Sequence, residues 1–235
     1  MNGLLFDNVQ VKLAPKSLQL TSVWKKRTPS GVPIVHDTKL VKEVYSYLKT
    51  VENPILLDVG ASVGSFAFLG VALPTLWVTA CEPNPVARRL LALNVQLNGL
   101  GKRVKILPFA LMDNDGTATL KIPAEPHRAG MATLGTPRRF RGGTTVQVAT
   151  RRMDGLGLGP VDLIKIDAEG ADLFVLRGGE QFIKQHRPTI LVEAYEPNTA
   201  QFDYRPSTIR SQLNHWGYSC RKKGKEDLWA TPRPR

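Results

Sequence analysis

A chain of 235 residues, 42% of them hydrophobic, can form one α/β domain with a full core and is too short for a second large one. Its longest apolar run, around Phe66 to Leu73, cannot cross a bilayer, and Met1 to Leu20 holds no apolar stretch of secretory length, so a cytoplasmic setting is expected. The net charge of +12 is uneven: residues 16–27, 128–152 and 221–235 carry net +4, +6 and +4, and the rest is close to neutral.

In chain order, residues 1–35 show short alternating runs (Val9, Val11, Leu13, then Leu18, Leu20) broken by Pro15, Pro29 and Pro33. They read as a small β-rich extension. Asp37 or Thr38 caps a helix with apolar positions 40, 44, 48 and 51, and Pro54 stops it. Ile55 to Val59 reads as a buried parallel strand. It runs into the turn Gly60-Ala61-Ser62-Val63-Gly64 and a helix over Phe66 to Leu73. Gly60 permits a sharp turn and Gly64 a close helix start, and such a turn presents backbone N–H groups to a ligand. Asp58, just ahead of the turn, suits a cationic or amine-bearing ligand.

The next strand, Leu76 to Cys81, ends at Glu82. An acid there, about 20 residues past the glycine turn, is placed for the hydroxyls of a ribose. Two cofactor patterns compete. The nicotinamide fingerprint needs glycines at positions 62 and 65, and both are serines. The S-adenosylmethionine pattern D-x-G-x-G-x-G is met at 58, 60 and 64 and departs only at Ser62.

Asn84 caps the following helix, with Pro85 at its first position, Gly99 past its end, and Val86, Leu90, Leu93 and Leu97 as its buried face. Strands follow at Val104–Leu107, 118–122 and Thr145–Thr150. Residues 123–144 are rich in Gly, Pro and Arg and read as a long exposed loop, a candidate lid. Val161 to Ile166 is a strand. A helix from about Ala171 is interrupted at Gly178-Gly179, and Ile190 to Val192 is a strand ending at Glu193. Residues 207–216 are helical, and short strands near Tyr218 and Leu228 close the chain. Alternation at this spacing means a parallel sheet with helices on both faces. Residues 36–235 read as a single domain behind the extension.

Acids fall at several strand tips: Asp58, Glu82, Asp167 and Glu193. They gather at the sheet edge where ligands bind. Lys165 shares a strand face with Asp167 and either balances Asp58 or Asp167 or serves the reaction. Asp167 and Glu169 are candidates to orient or deprotonate an acceptor hydroxyl. The four histidines are scattered, with no metal-ligand spacing. His36 and His127 are the two that could face the site, and His186 reads as a helix-end residue. Cys81 reads as a small core residue.

The ordered set Leu57-Asp58-Val59-Gly60-Ala61-Ser62-Val63-Gly64, Glu82-Pro83-Asn84-Pro85, Asn94 to Asn98, Val161 to Gly170, Val175 to Gly178, Arg187-Pro188 and Val192-Glu193 resembles the FkbM family of S-adenosylmethionine-dependent methyltransferases. The resemblance implies a Rossmann-like class I methyltransferase fold, a seven-stranded mostly parallel sheet whose last strand is antiparallel. It implies that Gly60, Ala61 and Gly64 line the methionine end of S-adenosyl-L-methionine, with Ser62 hydrogen-bonding where the family usually has Asn. Glu82 would take the ribose, Ala110, Leu111 and Asp113 would lie by the adenine, and Asp167 near the methyl. Asp58, Pro83 and Asn84 complete the cofactor set, and Asp167, Glu169 and Lys165 form the catalytic set. The family's members mostly methylate hydroxyls of saccharides, polyketides and similar small natural products. In that reading the arginines of 128–152 hold an acidic group of the acceptor. A ribose- or cap-directed RNA methyltransferase, using the basic surface, and a non-catalytic binding module are the alternatives.

Overall fold

The computed structural model describes residues 2–16, 26–35 and 38–234; His36 and Asp37, with the roles considered for them, lie outside these. The N-terminal strands β1 (Asn2–Phe6), β2 (Val9–Lys12), β3 (Lys26–Arg27) and β4 (Pro33–Ile34) form one small sheet. Helix α1 (Thr38–Leu48) follows, burying Val41, Val44 and Leu48. The central elements are β5 (Ile55–Val59), α2 (Leu69–Ala72), β6 (Trp77–Cys81), α3 (Pro85–Leu97) and β7 (Val104–Leu107). Next come β8 (Ala110–Leu111), β9 (Gly116–Ile122) and β10 (Thr144–Arg151). The C-terminal half holds β11 (Leu163–Ile166), α4 (Asp172–Gly178), α5 (Glu180–His186), β12 (Thr189–Glu193), α6 (Glu196–Thr199), α7 (Pro206–His215), β13 (Tyr218–Lys223) and β14 (Asp227–Pro232).

The main sheet has the order β13-β14-β12-β11-β5-β6-β7. Strands β7, β6, β5, β11 and β12 pair in parallel, and β14 runs antiparallel between β12 and β13. This is the class I methyltransferase topology expected from the sequence. The strand order reverses between β5 and β11, which opens a crevice at their carboxyl ends. Alternation along β5 sends Leu56 into one core and Leu57 and Val59 into the other, so both faces are covered, as a parallel sheet requires.

Two expected features differ. The helix after β5 is a single turn, because residues 66–71 are wound mainly by i→i+3 bonds such as Leu69 N–H to Phe66 O at 3.1 Å and Val71 N–H to Phe68 O at 2.9 Å. Helix α3 is turned from its expected face. Val86, Leu93 and Leu97 are exposed, whereas Ala87, Leu90, Leu91, Asn94 and Val95 are buried. Asn94 draws that face inward: its side chain accepts from Ala14 N–H at 2.8 Å and donates to Val63 O at 2.9 Å. Apolar spacing cannot register a polar residue held inside by such bonds. The cap at Asn84 is formed as expected, its Oδ1 accepting from Val86 N–H at 3.0 Å. The break at Gly178-Gly179 is also present, α4 ending at Gly178 and α5 starting at Glu180; a Cβ on Gly178 would lie 1.9 Å from Met112 O, so only glycine fits there.

Candidate active site

The glycine turn sits at the crevice. Gly60 has φ +74°, and a Cβ there would lie 1.8 Å from Asp167 O, so only glycine lets the turn press against the end of β11. The first donors of the turn are engaged within the protein. Gly60 N–H and Ala61 N–H donate to Cys81 O at 3.0 and 3.1 Å, and Ser62 N–H donates to Glu82 Oε2 at 2.7 Å. These bonds knit the start of the turn to the end of β6, while the N–H groups of Val63, Ser65, Phe66 and Ala67, where the turn runs into the helix, have no hydrogen-bond partner among the described residues, in line with the free donors expected there. Ser62 is itself left-handed, φ +49°, and its buried Oγ has no hydrogen-bond partner. Gly64 lies behind the turn, packed on Leu91.

Register puts Lys165 directly beside Asp58 across β11 and β5. The lysine Nζ lies 3.4 Å from Asp58 Oδ1 and 3.5 Å from Asp167 Oδ2, and it donates to Gly60 O at 3.0 Å. Burial disfavours its charge, but Asp167 and Asp58 outweigh burial and push its pKa up; it stays a cation and cannot serve as a base. Asp58 is fully buried, its pKa raised by burial and opposed by Lys165. It does not line the crevice, so it reaches a ligand only through Lys165. Glu82 does line it. Its two oxygens accept from Ser62 N–H and, at 2.8 Å, Asn84 N–H, which leaves each oxygen one further acceptor position. Burial raises its pKa to about 7 against those two bonds.

The loop over 123–144 is not the exposed segment expected. It begins with a 3-10 turn (Pro126–Met131), buries Ala129, Thr133 and Phe140, and forms a strap across the crevice. Thr133 pairs with Lys121 of β9 through two backbone bonds of 2.9 and 3.0 Å, and its hydroxyl donates to Glu169 O at 3.0 Å. Arg139 reaches from the strap to Asn198 Oδ1 at 2.9 Å and Glu169 Oε2 at 3.3 Å, with its guanidinium over the Tyr195 ring. Asn198 in turn donates to Glu193 Oε2 at 2.6 Å. Burial first, then the charge of Asp167, lifts Glu169 to about 8. Glu193 is raised for the same reasons, and Asp172 to about 7 by burial. Asp172 holds the loop before α4 by accepting from Ala168 N–H at 2.9 Å and Gly170 N–H at 3.1 Å.

These elements enclose a cavity of about 280 Å³. Of the residues singled out from sequence, Gly60, Ala61, Ser62, Glu82, Pro83, Ala110, Lys165, Asp167 and Glu169 line it, and Glu193 joins them. Asp58, Gly64 and Asn84 stand behind the lining, Asp113 is an exposed turn residue, and His127 is exposed on the strap. Of the six arginines of 128–152, Arg138 pairs with Asp203, Arg152 pairs with Asp154, and Arg151 donates to its neighbour's carbonyl. Of the arginines expected to hold an acidic part of the acceptor, Arg139 is the one that lines the cavity. Sequence reasoning passed over Asn198, Asp172 and Arg139 as individuals. Asp172 was discoverable, being the acid in the first turn of a helix that follows a glycine loop.

The lining fits a cationic nucleoside cofactor. Phe109, Ala110, Leu111 and Leu120 offer an apolar wall, Glu82 has spare acceptor positions, Ser62 Oγ is buried without a partner, and the far end is rich in carboxylates. Comparison with known proteins agrees. The methyltransferase FkbM domain family matches residues 58–220. Methyltransferase sdnD of Sordaria araneosa is 28% identical over 186 residues, covering 66% of this chain and 71% of that protein. Among solved structures, a methyltransferase FkbM from Methylobacillus flagellatus KT matches with TM-score 0.51 at 18% identity over 79% of this chain. A precorrin-6y C5,15-methyltransferase from Geobacter metallireducens GS-15 matches with TM-score 0.50 at 13% identity, over 85% of this chain and 90% of its own. The chain spans 50% of the length of that FkbM structure. A Rossmann-like class I sheet whose glycine turn, Glu82 and carboxylate cluster meet in one cavity, together with a family match over most of the chain, places this protein in the FkbM family of S-adenosylmethionine-dependent methyltransferases.

Proposed function

We propose that the protein methylates a hydroxyl of a saccharide or similar small polyhydroxylated acceptor. The observation that carries this reading is the strapped cavity, with the carboxylates of Asp167, Glu169 and Glu193 converging at one end. Bound S-adenosylmethionine supplies an electrophilic methyl group on a sulfonium. Glu82, Ser62 and the apolar wall hold it in this reading, while Asp58 acts from behind through Lys165. Lys165 fixes the Gly60 carbonyl and Asp167 together and so sets the distance between turn and acceptor end. Glu169 takes the hydroxyl proton as the hydroxyl oxygen displaces sulfur at the methyl carbon, the methyl–sulfur electron pair staying with sulfur; a carboxylate lifted to about 8 by burial is a stronger base than an ordinary one. Arg139 and Asn198 orient that carboxylate, and the strap keeps water from competing.

An RNA acceptor is the second reading, favoured by the net charge of +12. The engagement of the strap arginines with the protein's own groups weighs against it. Transfer of a labelled methyl group to a panel of hydroxylated glycosides and to RNA tests the choice. Activity on a glycoside should rise with pH and level off above about 8. Glu169→Gln should lower it by about 10²- to 10⁴-fold and abolish that rise. Activity on RNA alone overturns the small-acceptor reading.

A further inference from the structure

A second concave site lies on the other side of helix α1. The helix presents Lys39, Lys42 and Ser46 along one face, at i, i+3 and i+7. Opposite it, pairing of β13 with β14 sets Arg221 directly against Trp229 and Ser219 against Thr231, so the pleat turns these residues with Lys223 to the same face. Apart from Ser219, these residues line an open groove of about 690 Å³. Its floor is Trp229, buried and packed edge-on to Tyr47 at 5.5 Å.

Four cations line this groove against one carboxylate, Glu43. Lys223 is paired with Glu43 at 2.8 Å and Lys42 with Asp7 at 2.9 Å. Lys39 and Arg221 have no ion-pair partner among the described residues. The Arg221 guanidinium lies over the Trp229 ring, 5.7 Å from its centroid. A guanidinium drawn over a ring face by cation–π attraction still has its N–H donors to offer, and their fork suits two oxygens of a phosphate. Basic residues on an edge strand such as β13 also deter strand pairing; that account does not reach Lys39 and Lys42 on the facing helix.

The groove and the cavity are built in part from the same two elements. Helix α1 sends Val41 into the cavity and its neighbours Lys39 and Lys42 into the groove, and the β13–β14 hairpin sends Glu226 to the cavity and Lys223 to the groove. We infer that the groove bounded by Lys39, Lys42, Arg221 and Trp229 binds a phosphate-ester group carried by the acceptor, leaving its hydroxyl-bearing part in the cavity. This rests on the small-acceptor reading above and names the acceptor's class, a phosphorylated or diphosphate-linked polyol.

Calorimetric titration of the full chain with inorganic pyrophosphate tests the groove, and titration with S-adenosylhomocysteine tests the cavity separately. The double variant Lys39→Ser/Arg221→Ser should weaken pyrophosphate binding by about tenfold or more, since each lost charge-assisted contact is strong, while S-adenosylhomocysteine binds as to the wild type. Pyrophosphate that fails to bind the wild type, or binds the double variant equally, overturns the inference whatever the cavity does. Loss of S-adenosylhomocysteine binding by the wild type instead strikes at the methyltransferase reading and leaves the groove result standing. If a mixed-sequence single-stranded RNA binds the groove with log affinity against log salt steeper than about −2, more than the two free cations supply, the partner is a polyanion and the phosphate-ester assignment is wrong.

Discussion

Replacing Gly60 with alanine separates two costs that glycine avoids in this turn. The first is conformational: at φ +74° a Cβ adds about 1–2 kcal/mol. The second is contact. The new Cβ would stand 1.8 Å from Asp167 O, where ordinary contact starts near 3.4 Å, so turn and strand must part by well over an ångström. That movement breaks the bond from Asp167 N–H to Val59 O, now 3.1 Å, and draws the Gly60 carbonyl from Lys165. A buried hydrogen bond lost with its partner groups left inside costs about 1–3 kcal/mol. The total is about 3 kcal/mol or more, which for a chain of this size lowers the melting temperature by about 6–12 °C. Gly99→Ala is the matched control, because Gly99 is also left-handed (φ +68°) but a Cβ there meets nothing within 4 Å; it should lose only the conformational part, about 2–8 °C. Thermal unfolding of both variants, with S-adenosylhomocysteine titration of each, decides the matter. If Gly60→Ala melts within about 2 °C of Gly99→Ala, the turn is not clamped against β11 and the geometry argued for the cavity floor fails.

Lys165→Met should destabilise by about 3–5 kcal/mol, because it strands the fully buried Asp58 without a counter-charge; adding Asp58→Asn should recover part of that loss in denaturant melts, and no recovery would mean the pair does not act as a unit. Arg139→Ala removes the strap's link to Glu169 and Asn198, so the acceptor's KM should rise about tenfold while S-adenosylhomocysteine affinity and melting temperature change little. The ligand-free protein should lose stability as pH rises. Glu82, Glu169 and Asp172 have folded pKa values of about 7, 8 and 7, above their unfolded ones. Their stabilising contribution is complete below about pH 4 and is lost as pH climbs through 7 to 8. Melting temperatures of wild type and Glu169→Gln across that range check this: the variant should show the shallower slope, and parallel slopes would remove Glu169 from the account.

What the sequence disclosed and what it hid divide along a physical line. Strand tips were legible because a parallel strand buried on both faces is a continuous apolar run, and an acid ending such a run has few structural uses. Glu82, Asp167 and Glu193 thus stood out and do meet in one cavity. The pairing of Lys165 with Asp58 was half legible. The lysine's need for a carboxylate follows from burial, but which one follows from the register of β11 on β5, a long-range fact. The face of α3 was misread because Asn94 goes inward for two hydrogen bonds to distant backbone. The strap was misread for a similar reason. Its composition of glycine, proline and arginine is that of an exposed loop, yet Thr133 and Arg139 find their partners on the loop after β11 and on α6. Apolar periodicity therefore recovers the scaffold, whereas polar groups satisfied across the chain decide which scaffold residues reach the ligand. The same distinction bears on the charge of +12. Counted along the chain, the arginines of 128–152 looked like the anion site. Counted by partners, most of them are engaged, and the two groove cations without an ion pair among the described residues, Lys39 and Arg221, become neighbours only once helix α1 packs against the C-terminal hairpin.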